Sequence, residues 1–126
     1  MDLERVLYVE DDKSIQAVAQ LALETVGGLQ VCICSSGEEA LDKGPGFSPQ
    51  LILLDVMMPG MDGPETLIQM RQLPALAKVP VVFMTARTQE SEVQGYLAQG
   101  AMEVIPKPFD PMQLANQVRA IWTDHR

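Results

Sequence analysis

Five short apolar runs recur along this chain, and a helix-like segment separates each consecutive pair. The runs are Val6-Leu7-Tyr8-Val9, Leu29 to Cys34, Leu51-Ile52-Leu53-Leu54, Val81-Val82-Phe83-Met84 and Val104-Ile105. Several are apolar at successive positions, not at every second one. A strand of that kind needs cover on both faces, which a parallel sheet wrapped by helices provides. Strict alternation of strand and helix with right-handed crossovers therefore predicts an α/β, doubly wound, five-stranded parallel sheet with five helices.

The boundaries follow from local chemistry. The first strand reads as 5–9. Ile15, Val18, Ala19, Ala22 and Val26 recur at helical spacing and predict a helix over 12–26, closed by Gly27-Gly28. The second strand covers 29–34. Ser35-Ser36-Gly37-Glu38-Glu39 offers a cap and early acids for a short helix that Gly44-Pro45-Gly46 should break near Lys43. The third strand is 51–54. Pro64 suits the first turn of a helix to Gln72, and a loop over 73–79 leads to the fourth strand at 80–84. A helix over 88–99 ends at Gly100, and 103–105 forms the fifth strand. Asp110-Pro111 should open a last helix whose buried stripe is Leu114, Val118, Ile121 and Trp122.

At 126 residues the chain has the size of one domain, and residues 1–126 are expected to form it. A formal net charge of −8 argues against binding nucleic acid, whose phosphates it would repel. No apolar run approaches the ~20 residues that cross a bilayer. The acidic start Met1-Asp2-Leu3-Glu4-Arg5 is unlike a signal peptide, so a cytoplasmic location is expected. Cys32 and Cys34 stand two apart in one strand and are expected to be reduced core residues. His125, the one histidine, is expected to fray with the terminus.

The strand exits carry the chemistry. Glu10-Asp11-Asp12 follows the first strand, Asp55 the third, Thr85 the fourth and Lys107 the fifth. In a doubly wound sheet the first and third strands are adjacent, and their carboxyl ends open a crevice. Asp12 suits a helix cap. Glu10 and Asp11 converging on Asp55 is costlier. At ~6 Å and an effective dielectric of about 20, each like-charged pair costs roughly 3 kcal/mol. A cation would offset that repulsion, and an all-oxygen donor set in a small crevice points to Mg²⁺.

These residues bring a family into view. Val9-Glu10-Asp11-Asp12, Leu54-Asp55-Val56-Met57-Met58-Pro59-Gly60-Met61-Asp62-Gly63, Met84-Thr85-Ala86 and Pro106-Lys107-Pro108-Phe109 stand in order, each at a strand exit. Together with the run Gly100 to Pro111 they resemble the receiver domain of two-component response regulators over essentially the whole chain. The resemblance implies a flavodoxin-like strand order of 2-1-3-4-5. It implies a phosphorylation-activated signalling switch, with Asp55 accepting a phosphoryl group from a sensor histidine kinase or a phosphotransfer protein. Asp11 and Asp55 would ligate Mg²⁺, Glu10 would act through water, and the Met57 backbone carbonyl would complete the protein ligands. Thr85 and Lys107 would each bind a phosphoryl oxygen, and the Lys107-Pro108 bond would be cis. The output would be a changed surface on the fourth helix, fifth strand and fifth helix, recognised by an unnamed downstream protein. A homodimer through that face is open. On this reading the chain is no enzyme and promotes only its own phosphorylation and dephosphorylation.

The charges agree with this chemistry. Neighbouring acids hold a carboxyl protonated, whereas a divalent cation and the Lys107 ammonium favour the ionised form that attacks phosphorus. The same cations would stabilise charge on the transferring group. The sequence also departs from the family. Members often carry Tyr or Phe three residues before the lysine, where this chain has Val104. A β-branched side chain is too short and stiff for the same inward swing. Coupling must then run mainly through Thr85 and the following loop, or be weaker; Tyr96 could substitute, but it reads first as packed core or partly exposed surface. Met57 lies two residues after Asp55 and could shield the phosphoryl group, which predicts a phosphorylated lifetime of minutes or longer. Arg87, two residues after Thr85, could pair with Glu90 or Glu92, or simply be solvated.

Three other readings compete. A small-molecule phosphatase or phosphotransferase of similar architecture would need a second acid where Met57 stands. A flavin binder would need a Ser/Thr/Gly-rich phosphate loop where Glu10-Asp11-Asp12 would repel phosphate. A degenerate receiver used as a scaffold would not need the intact pocket.

Overall fold

The computed structural model describes residues 2–125. Five strands and five helices alternate: β1 (Arg5–Val9), α1 (Lys13–Gln20), β2 (Gln30–Cys34), α2 (Gly37–Phe47), β3 (Leu51–Asp55), α3 (Gly63–Met70), β4 (Val81–Thr85), α4 (Glu90–Ala98), β5 (Glu103–Pro106) and α5 (Leu114–Asp124). All pairings are parallel, and the order is β2-β1-β3-β4-β5. This is the predicted sheet.

The apolar runs are explained by two cores, one on each face. Val6, Tyr8, Leu51, Leu53, Val82 and Met84 point one way and meet Ala19 of α1, Leu23 of the turn that continues it, and Leu114 and Val118 of α5. Leu7, Val9, Ile52, Leu54, Val81 and Phe83 point the other way, onto Ala40, Leu67, Met70 and Leu76. Alternate side chains leave opposite faces of a strand. A strand covered twice must therefore be apolar throughout, as β3 is from Leu51 to Leu54, each with 0% exposure. The edge strands β2 and β5 are only partly buried, matching their less uniform sequences. Cys34 is buried and Cys32 half-buried, and both are free thiols. Burial, then the neighbouring Cys32 and Glu39, pushes the Cys34 thiol up to about 12.

Besides α3, which ends at Met70 and not at Gln72, helix boundaries differ from expectation at four places. The predicted 12–26 helix is α-helical only to Gln20 and continues as a π-helix over Leu21–Val26. The wider turn shows in the Gly27 N–H donating to the Ala22 carbonyl, five residues back, at 3.1 Å. Gly28 then takes a left-handed φ of 71° and closes the end, as the Gly-Gly pair predicted. Second, Gly44-Pro45-Gly46 lies inside α2 and does not break it. Pro45 sits in the final turn, where its missing N–H forfeits only one helix bond. Gly44 faces the Leu7 and Leu76 side chains, where a β-carbon would come within 3.1 Å of Leu76. Ser48, left-handed at φ 55°, ends the helix instead. Third, α4 starts at Glu90, not at Thr88. Fourth, α5 starts at Leu114, because Asp110 first organises a turn. Its Oδ1 accepts the Met112 N–H and its carbonyl accepts those of Gln113 and Leu114.

Candidate functional site

The sheet order places the ends of β1 and β3 side by side, with β4 and β5 following. Val9 pairs with Leu54, so Glu10 and Asp55 occupy the next rung. Asp55 pairs with Met84, and Thr85 lies one rung further, opposite Pro106. The Lys107 N–H donates to the Thr85 carbonyl at 2.9 Å, which prolongs the β4–β5 ladder and seats the lysine over the crevice. The Lys107-Pro108 bond is cis, as the resemblance implied.

Three carboxylates meet there. One oxygen each from Glu10, Asp11 and Asp55 lies within 4.8 Å of the others. Glu10 is 1% exposed and Asp55 4%, whereas Asp11 is open to solvent. Lys107 Nζ donates to Glu10 Oε1 at 2.8 Å and to Asp55 Oδ1 at 3.0 Å. Burial works against the lysine charge, but these two hydrogen bonds together with the charges of Asp55 and Glu10 outweigh it and raise its pKa. Burial pushes the Glu10 carboxyl up to about 7, against the hydrogen bond from Lys107 and with the charge of Asp55. One ammonium thus faces three acids, and the charge left over is negative.

The remaining expected residues fall around this cluster. Asp12 caps α1, its Oδ1 accepting the Ser14 and Ile15 N–H groups. Thr85 is 2% exposed, and its hydroxyl oxygen accepts the Arg87 N–H at 3.0 Å. Met57 sits on the loop after β3 with its side chain 63% exposed. Arg87 reaches Glu92 at 3.9 Å, one of the two acids expected for it. Val104 is half-buried and pairs with Phe83. Tyr96 packs edge-on against that same Phe83, with ring centroids 5.4 Å apart. His125 Nε2 lies 3.6 Å from a Glu103 carboxylate oxygen.

Two residues were not singled out from sequence. Gly63 donates its N–H to the Val56 carbonyl at 2.9 Å, and a β-carbon there would stand 2.6 Å from the Asp55 carbonyl oxygen and 2.8 Å from Val56 Cα. Both obstacles are backbone and cannot swing aside. Gly63→Ala should therefore lower stability by about 2–3 kcal/mol, read as a lower urea midpoint. Unchanged unfolding would show that the chain end of β3 can relax. The second is Gln16, a buried polar residue inside the apolar stripe of α1. Its spacing from Ala19 and Leu23 placed it on the inward face, and that signal was available in the sequence.

Similarities to known proteins agree with the geometry. Residues 6–119 match the family described as response regulator receiver domain. The chain is 38% identical over 117 residues to the alkaline phosphatase synthesis transcriptional regulatory protein PhoP of Bacillus subtilis, covering 93% of this chain and 48% of that protein. It is 37% identical over 117 residues to the DNA-binding response regulator MtrA of Mycobacterium leprae, covering 93% and 50% respectively. The chain thus spans about half the length of the curated relatives it matches. The solved structure of the chemotaxis response regulator CheY4 of Vibrio cholerae superposes with a TM-score of 0.86 at 29% identity, covering 94% of this chain and 98% of that one. With the fold, the acid cluster and the lysine in place, the chain belongs to the response regulator receiver domain family.

Proposed function

We propose that this domain is a phosphorylation switch whose acceptor is Asp55, and that residues 1–126 act as one receiver unit. The observation that carries the reading is the Lys107 ammonium bonded at once to Asp55 and Glu10, beside the exposed Asp11. Such a cluster is suited to neutralisation by a cation. Three carboxylates within 4.8 Å form a hard, oxygen-only donor set, which fits Mg²⁺. Asp11 and Asp55 would hold it, with Glu10 through water and the Met57 backbone carbonyl. Bound there, the cation supplies positive charge against the phosphoryl oxygens.

The chain's own residues do the rest. The Asp55 carboxylate has no proton to lose and forms its bond to phosphorus directly as the donor's bond breaks. Lys107 shifts from a carboxylate pair to a phosphoryl oxygen without leaving the crevice. The Thr85 hydroxyl, now accepting from the Arg87 backbone, turns to donate to another phosphoryl oxygen. That movement pulls on the loop before α4. This helix is suited to respond, because it buries none of its residues fully. With Val104 in place of an aromatic, the Phe83–Tyr96 contact is the ring pair that joins α4 to the sheet.

The donor would be a histidine kinase or a histidine phosphotransfer protein, and the α4-β5-α5 face would report to a downstream partner or to a second copy. The domain promotes its own phosphorylation and dephosphorylation and turns over no separate substrate. A cytoplasmic location fits, and among the described residues no helix is long and apolar enough to cross a membrane.

Incubation with Mg²⁺ and acetyl phosphate tests the reading. Intact-mass analysis should show a gain of one phosphoryl group in the native protein and none in Asp55→Asn. After removal of the donor the label should persist for minutes. Equal labelling of both proteins, or labelling of neither, would overturn the assignment, and decay within seconds would overturn the shielding role of Met57.

A further inference from the structure

The Glu10 residue is gripped at every polar atom. Its N–H donates to the Cys34 carbonyl at 3.0 Å. Its Oε1 accepts Lys107 Nζ at 2.8 Å, and its Oε2 accepts the Asp12 N–H at 3.3 Å. Its carbonyl accepts Nε2 of Gln16 at 2.5 Å. Gln16 comes from the first turn of α1 and is 8% exposed. The same amide nitrogen donates to Ser35 Oγ at 3.0 Å, and Ser35 Oγ also accepts Lys13 Nζ at 2.7 Å. One side chain therefore ties together the end of β1, the start of α1 and the loop after β2.

A buried amide is costly unless its hydrogens are used. Here one is used on the carbonyl of the peptide unit that joins Glu10 to Asp11 and the other on Ser35 Oγ. Fixing that plane fixes the direction in which Asp11 leaves the chain. Among the described residues no hydrogen bond or ion pair holds the Asp11 carboxylate itself. Its place within 4.8 Å of Glu10 and Asp55 must come from the backbone beneath it. Gln16 is the side chain that anchors that backbone.

We infer that Gln16 is a positioning residue for the divalent-cation pocket: its amide locks the Glu10–Asp11 peptide so that both carboxylates face Asp55. This rests on the pocket being a cation site, as proposed above. Groups that orient ligands from behind commonly change metal affinity by about 10- to 100-fold when removed. A residue that merely filled space would change folding without changing the cation dependence.

The test compares wild type, Gln16→Met and Ser35→Ala. Met keeps the length of Gln without its N–H groups. Ser35→Ala leaves the Gln16 bond to Glu10 in place and removes its second anchor, together with the exposed bond from Lys13. Mg²⁺ binding is read by calorimetry, and labelling by acetyl phosphate is followed against Mg²⁺ concentration. In Gln16→Met the half-saturating Mg²⁺ concentration should rise about tenfold or more, while the rate at saturating Mg²⁺ stays close to wild type. Ser35→Ala should move it the same way by a smaller factor. Wild-type Mg²⁺ half-saturation in both variants, with or without a lower melting temperature, would overturn the inference and leave the pocket reading standing. If Gln16→Met does not fold, an unshifted Ser35→Ala overturns it alone. No Mg²⁺ binding by the wild type would remove the pocket reading and this inference with it.

Discussion

Replacing Lys107 with Met is expected to remove about 3–5 kcal/mol of stability from the metal-free protein near neutral pH. It should also slow labelling by acetyl phosphate by ~10²–10³ at saturating Mg²⁺. The lysine side chain is 18% exposed, and those of its partners Glu10 and Asp55 are 2% and 6% exposed. Removing one member of a buried pair leaves the other charge without compensation, a larger effect than the pair itself contributes. Here two acids are left, not one: they repel while both are ionised, and relief comes only as Glu10 takes up a proton. Met restores the apolar stem of the lysine, so the loss reports the ammonium and not the packing. Added Mg²⁺ should stabilise the variant more than the wild type, because it replaces the missing charge. A urea midpoint for Lys107→Met equal to that of wild type in metal-free buffer would contradict this account of the cluster.

The sheet was legible because burial on both faces leaves a strong trace. Leu51 to Leu54 can be apolar throughout only where two layers cover them, and the helical segments between strands supplied both layers. The site was legible for a related reason: parallel strands bring all their carboxyl ends to one edge, so four polar strand exits had to be neighbours. The less legible features depend on contacts between distant segments. Pro45 reads as a breaker until Leu7 and Leu76 are seen against Gly44. The π-helix at Leu21–Val26 shares its apolar spacing with an ordinary helix. Gly63 resembles any turn glycine until the Asp55 carbonyl is found where its side chain would be. Gln16 shows only as one polar residue on an inward face, and its partners, Glu10 and Ser35, are contributed by two other segments.

The acid cluster also fixes how stability should respond to pH and to Mg²⁺. An unfolded glutamate has a pKa near 4.5, and in the fold burial pushes Glu10 up to about 7. Between those values the folded state holds more protons than the unfolded state. Stability contributed at this position is therefore greatest at low pH and falls as pH rises through the window from about 4.5 to about 7. The loss should be on the order of 3–4 kcal/mol, since each tenfold change in proton affinity corresponds to about 1.4 kcal/mol. Other acids titrate in the same range, so the measured quantity is the difference between wild type and Glu10→Gln. In metal-free buffer, wild-type stability should fall relative to the variant from pH 5 to pH 8. Mg²⁺ binds the ionised form and competes with the proton, so saturating Mg²⁺ should flatten that difference and stabilise the wild type most at pH 8. Thermal melts of both proteins across this range, with Mg²⁺ and with chelator, check it. A difference that stays flat without metal would mean that Lys107 alone keeps Glu10 ionised, and that the pocket needs no second cation.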